Sequence, residues 1–204
     1  MLPQEKLKYT LDDYIELEKT SEERLEFWDG NIWSMSGASS AHDQVQGNTH
    51  FALRLKLQGK ACRVFLSDMR VKVPAYYPYR YPDLSALCGE AKFEKFKGLD
   101  VLVNPQLIVE ILSDSTEAFD RGDKFTYYKS IESFSEYLLI AQHRPHVTQY
   151  VKQADNSWSY KEVNELSEKI YIASLDCELN LEELYQDVVF PSDVLPFQRG
   201  EFAE

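Results

Sequence analysis

Cysteine and histidine are scarce in this chain, three and four among 204 residues. Cys62, Cys88 and Cys177 are odd in number, far apart and set among apolar neighbours, which reads as buried thiols rather than a disulfide framework. His42, His50, His143 and His146 form no zinc spacing with them. No apolar run approaches the ~20 residues of a membrane helix. The opening residues, with Gln4, Glu5, Lys6 and Lys8, lack the apolar core of a signal peptide. The expectation is a soluble, cytoplasmic protein that does not meet a membrane. Eight glycines and eight prolines gather into no linker and no internal repeat is visible, so residues 1–204 read as one domain.

Positive charge is also in deficit, and a net charge of −12 argues against a polyanionic partner. The deficit is uneven. Between Arg54 and Lys97 stand ten basic residues against four acidic ones. Two readings stay open: one cationic face, or charges scattered over the surface.

What is present is 44% hydrophobic residues in patterns. Thr10 caps a short helix with Leu11, Tyr14, Ile15 and Leu17 as its stripe. Residues 23–35 read as a hairpin about Asp29-Gly30. Ser40 and Asp43 resemble a capping box for a helix to about Gln58, with Ala41, Val45, Ala52 and Leu55 inward and Gly59 ending it. Residues 62–73 alternate as one half-buried strand, and 80–88 form the next. Residues 89–105 read as a charged surface loop. A helix is expected from about Glu117 or Asp120 to Ile131, with Phe125, Tyr128 and Ile131 inward. Strands at 136–141, 146–152, 158–163 and 169–173 suggest an antiparallel meander, followed by a short helix at 180–185 and an irregular tail past Phe190. The class is α+β, or mixed α/β, around one sheet.

The strand at 107–113 is almost uninterruptedly apolar, with Glu110 in its middle. Both faces must be covered, and a carboxylate there costs several kcal/mol unless a cation or donors compensate it. Arg70 on a neighbouring strand is one candidate cation. Asp83 lies on the preceding strand, and two core carboxylates need a cation between them. Mg2+ is held by one or two protein carboxylates with waters and phosphate oxygens, and a lysine beside it steadies developing negative charge. Each residue also has a structural reading. Pro82-Asp83 is a common strand-entry pair, and Lys124 lies four residues after Asp120, the spacing of an exposed helical ion pair. Glu26 reads as a solvated hairpin residue and His42 as a capping or packing residue. Tyr76, Tyr77 and Tyr79 suit base stacking or a packed rim.

Pro82-Asp83 followed by Glu110-Ile111-Leu112 resembles the PD-(D/E)XK nuclease superfamily. The ordered set from Tyr81-Pro82-Asp83 through Val109–Thr116 to Asp120-Arg121-Gly122-Asp123-Lys124 is similar to its branch of uncharacterised restriction endonucleases. Glu26–Gly30, His42 and Ser67–Val71 extend the resemblance, which covers roughly residues 10–142. It implies a restriction-endonuclease-like mixed sheet flanked by helices: a nuclease core at about 40–142, an N-terminal hairpin at 10–36, and C-terminal strands and tail at 143–204. It implies a metal-dependent endonuclease acting on duplex DNA as a homodimer, with Mg2+ or Mn2+. Asp83, Glu110 and the Ile111 carbonyl would be metal ligands. The motif lysine falls at Leu112, and Lys124 would take its place. Glu26, His42, Asp68 and Arg70 would be site neighbours. The alternative is a catalytically inactive descendant serving as a binding or assembly module.

Overall fold

The computed structural model describes residues 8–28, 30–34 and 37–190. Helix α1 (Leu11–Thr20) is closed by the expected Thr10 cap: Thr10 Oγ1 accepts from the Asp13 N–H at 3.1 Å, and the Asp13 carboxylate accepts from the Thr10 N–H at 2.8 Å. Strands β1 (Leu25–Trp28) and β2 (Asn31–Ser34) pair as a hairpin. Gly30 turns it at φ 75°, where a Cβ would also stand 2.6 Å from the Lys8 side chain. Asp29, Met35 and the tail past Phe190 lie outside the described residues. Helix α2 (Ser40–Lys56) is capped by Ser39, not Ser40, whose hydroxyl accepts from the His42 N–H at 3.1 Å. Its buried stripe is Val45, Thr49, Ala52 and Leu53, while Leu55 faces solvent.

The main sheet runs β11-β10-β9-β8-β5-β3, from Trp158–Val163 (β11), Val147–Lys152 (β10), Glu136–Ala141 (β9), Leu107–Leu112 (β8), Leu84–Cys88 (β5) and Cys62–Leu66 (β3). Only β8 and β9 are parallel, and the chain between them crosses over through α3 (Glu117–Phe119), a π-helical turn (Asp120–Lys124) and α4 (Phe125–Tyr128). Every residue of β8 is buried. Leu107, Val109 and Ile111 pack with α2 on one face; Ile108 and Leu112 pack with Tyr128 and Phe134 on the other, which is Glu110's face. The alternation predicted from sequence is observed.

Three elements differ from expectation. The strand at 62–73 stops at Leu66 and resumes as β4 (Arg70–Val71). The presumed loop at 89–105 holds a second hairpin, β6 (Phe93–Phe96) and β7 (Leu99–Leu102), turned by Lys97 and Gly98 at φ 45° and 93°. With β4 it makes a three-stranded sheet. The C-terminal meander divides: β10 and β11 extend the main sheet, whereas β12 (Lys169–Ile172) and β13 (Cys177–Asn180) form their own pair ahead of α5 (Leu181–Leu184). Cys62 and Cys88 are not free thiols; they stand opposite each other on β3 and β5 and are joined in a disulfide, leaving Cys177 free and buried.

Much of the basic surplus is drawn into ion pairs. Lys56, Lys60, Arg70, Lys72, Lys95 and Lys97 pair with Glu183, Asp176, Glu18, Glu94, Asp100 and Asp12, acids drawn from the whole chain. Among the described residues no helix is long and apolar enough to cross a membrane.

Candidate active site

Strand pairing fixes the site. The β5–β8 ladder sets Leu84 opposite Val109, so Asp83 and Glu110 project just past its end. The Asp83 N–H donates to Glu110 Oε2 at 3.3 Å, and Asp83 Oδ2 accepts from the Ile111 N–H at 2.7 Å. In an extended residue the N–H and C=O point to the same side, so the Ile111 carbonyl faces Asp83 as well. His42 Nε2 stands 3.3 Å from Asp83 Oδ2, and Gln46, one turn further along α2, donates to the Asp83 carbonyl at 2.8 Å. His42 therefore serves more than its cap.

The cation opposite Glu110 is Lys124. Its Nζ lies 2.9 Å from Glu110 Oε1 and 3.0 Å from Asp120 Oδ1, and Tyr128 Oη donates to the same Glu110 oxygen at 2.7 Å. Asp120, Lys124 and Tyr128 recur at four-residue intervals along the crossover, which turns all three toward β8. Lys124 is buried, contrary to the exposed ion pair that its spacing from Asp120 suggested. Burial pushes the Glu110 carboxyl up to about 8; Lys124 opposes this, and the negative charges of Asp83 and Asp120 reinforce it. Burial alone would lower the Lys124 amine, but the Asp120 and Glu110 carboxylates outweigh it and hold the amine well above its ordinary value.

A cleft of about 600 Å3 opens over this group, with Asp83, Glu110, Ile111 and Lys124 among its lining residues and His42 and Gln142 beside them. Ser39 Oγ donates to Gln142 Oε1 at 2.6 Å, tying the start of α2 to the end of β9 across the cleft. Leu112, at the motif lysine position, is fully buried in the apolar cluster with Tyr128.

The remaining expected neighbours divide. Glu26 is buried rather than solvated: Oε1 accepts from the Tyr81 N–H at 2.9 Å and Oε2 is 3.8 Å from Arg80 Nε. It thus braces the chain two residues before Asp83 without lining the cleft. Arg80 in turn lies over the Tyr76 ring at 3.2 Å. Asp68 is exposed and 3.6 Å from Arg24, outside the cleft lining. Arg70 does not neutralise Glu110; it pairs with Glu18 at 3.2 Å and lies over the rings of Tyr79 and Tyr81. Of the tyrosine run, Tyr76 and Tyr79 are packed inside and Tyr77 is exposed.

The donors offered to a metal are hard oxygens: two carboxylates and a main-chain carbonyl. Among the described residues no group of three or more His, Cys, Asp or Glu side chains is arranged to hold an ion. Two carboxylates with waters and phosphate oxygens is the donor set that suits Mg2+, and the mutual repulsion of Asp83 and Glu110 favours a cation there. The residues fit such an ion.

A mixed sheet with Asp83 just before β5, Glu110 within β8 and Lys124 on the crossover that follows β8 defines the class: this is a restriction-endonuclease-like fold. The crystal structure of a "putative nuclease belonging to DUF820" from Anabaena variabilis superposes with a TM-score of 0.68 at 18% identity, covering 86% of this chain and 97% of that one. The chain belongs to the family described as "Putative restriction endonuclease" (Uma2), whose family model matches residues 11–182. Two proteins of Synechocystis sp. (strain ATCC 27184 / PCC 6803 / Kazusa), both described as uncharacterised, are similar. One, sll1609, is 35% identical over 154 residues, 76% of this chain and 86% of its own length. The other, slr1290, is 27% identical over 183 residues, 90% of this chain and 94% of its own length.

Proposed function

We propose that the protein is a Mg2+-dependent endonuclease hydrolysing DNA phosphodiester bonds, with Mn2+ able to substitute. The observation that carries this reading is the buried pair Glu110 and Lys124 with the half-buried Asp83 beside them, all lining an open cleft. Asp83, Glu110 and the Ile111 carbonyl would hold the ion. When bound, it supplies Lewis acidity toward the scissile phosphate and lowers the pKa of water for attack. Glu110 takes part as the carboxylate, the form that Lys124 and Tyr128 favour. Lys124 remains charged beside Asp120 and presents an ammonium to the negative charge that builds on the phosphate. His42 keeps the Asp83 carboxylate oriented until substrate enters. Duplex DNA is the partner, and a two-fold pair of copies would set one cleft on each strand.

Purified protein, a mixed DNA panel and Mg2+ or Mn2+ test the reading. Expected is cleavage that falls by more than about a hundredfold in Asp83→Ala and in Lys124→Ala. Cleavage surviving Asp83→Ala would sink it. A second reading, a non-catalytic binding or assembly module, is favoured by Leu112 at the motif position and by Lys124 already compensating Glu110. Calorimetry separates the two. No divalent-ion heat in wild type, or a heat unchanged in Glu110→Gln, selects the module.

A further inference from the structure

The π-helical turn that presents Asp120 and Lys124 sits between two clefts: those two residues line the first, and Arg121 lines a second of about 340 Å3. Arg121 is held at every guanidinium nitrogen. Its Nε donates to Glu117 at 2.7 Å, Nη1 to Thr148 Oγ1 at 3.0 Å, and Nη2 lies 3.3 Å from His146 Nε2. An arginine has no acceptor, so His146 Nε2 must accept. His146 Nδ1 is 2.6 Å from Asn164 Oδ1, an acceptor, so Nδ1 carries the hydrogen. The imidazole is buried, and its backbone is bracketed by the Tyr185 hydroxyl, which receives from the His146 N–H and donates to its carbonyl, each at 3.0 Å.

We propose that His146 is a positioning residue for Lys124: neutral and protonated on Nδ1, it fixes Arg121 and thereby the π-turn that aims Lys124 at Glu110. The inference rests on the role given to Lys124 above. A π-helical turn is a poor local structure that persists where surrounding contacts enforce it. On the sheet side those contacts include Lys124 with Glu110 and the Tyr137 hydroxyl, which donates to the Asp120 carbonyl at 3.1 Å; on the other side stands the Arg121 clamp. With an ion held at Glu110, Lys124 would still pair with Asp120, and the clamp would set where the ammonium points.

The charged groups facing His146 are Arg121 and Glu117 from the crossover, Arg144 from the turn before β10, and Glu162 of β11 at 3.7 Å; Tyr185 approaches after α5. Burial, with Arg144 and Arg121, outweighs Asn164 and Glu162 and holds the imidazole below its ordinary 6.5, so it is neutral at physiological pH.

The test uses the full chain with His146→Phe and His146→Gln, the latter retaining an acceptor for Arg121. Acetylation of the Lys124 amine by acetic anhydride, mapped by mass spectrometry, reads its placement without any substrate. His146→Phe is expected to raise that rate about tenfold and to lower kcat by about 10–100-fold at unchanged KM, with His146→Gln recovering most of both. In wild type, 15N NMR is expected to find the proton on Nδ1. A folded His146→Phe variant with Lys124 as protected as in wild type would overturn the proposal, and so would a proton on Nε2. If wild type cleaves nothing the nuclease reading fails alone, since the labelling and tautomer measurements still decide this one.

Discussion

Glu110 is a carboxyl buried in the core, and its chemistry turns on one proton. Burial, with the negative charges of Asp83 and Asp120, pushes its carboxyl up to about 8 from an ordinary 4.5, while Lys124 and Tyr128 pull the other way. A carboxyl whose pKa is raised on folding contributes stability in full below the unfolded value and loses it as pH rises through the folded one. Metal-free protein is therefore expected to melt progressively lower between about pH 5 and pH 8. Glu110→Gln should flatten that dependence. A divalent ion needs the ionised form, so its apparent affinity should climb over the same window, with about one proton released per ion. Calorimetry in two buffers of different ionisation enthalpy counts that proton; a count of zero would mean Glu110 is not a ligand. At this scale the sequence showed that Glu110 needed a partner but did not name it. Arg70 was a reasonable candidate because it sits on a nearby strand segment, yet Glu18 reaches it from α1, fifty-two positions away. Only the folded chain brings that acid near.

At the scale of elements, the β3–β5 pair is closed by the Cys62–Cys88 disulfide across a separation of 26 residues. β3 is the edge strand of the main sheet, and β5 begins one residue after Asp83. Cross-linking a loop of that size stabilises by roughly 3–4 kcal/mol through the unfolded chain. Reduction is expected to lower the melting temperature by roughly 6–16 °C. Differential scanning calorimetry with and without dithiothreitol checks this, with Cys62→Ser as a control that should be insensitive to reductant. The pairing was not legible beforehand, because thiols 26 positions apart meet only if two particular strands are antiparallel neighbours in one register. The β6–β7 hairpin escaped notice for a related reason. Glu94 and Lys95 of β6 are both exposed, on opposite faces of the strand, and the turn uses Lys97 at positive φ rather than the usual Asn or Asp.

For the whole molecule, a net charge of −12 must be reconciled with a polyanionic substrate. Many basic residues of the middle stretch are in intramolecular pairs, so on the proposed reading long-range attraction to DNA is weak and phosphates are met chiefly at the cleft. Duplex binding is expected to be undetectable in EDTA at about 0.1 M salt and to appear with Ca2+, which fills the site without supporting cleavage. Fluorescence anisotropy of a labelled duplex measures it. Tight binding in EDTA would place the interface on some other surface.

The sequence by itself determined the central strand, the face on which Glu110 lies, the helix caps to within a residue and the ordered set of acids and lysine, because periodicity, capping and motif order are local properties of the chain. Tertiary structure alone decided which cation faces Glu110, that Lys124 is buried between two acids, that Glu26 braces the site from behind, and that His146 grips Arg121. Those outcomes depend on register between strands and on which distant segments fill each face of the sheet, and burial converts the resulting proximity into altered proton affinity.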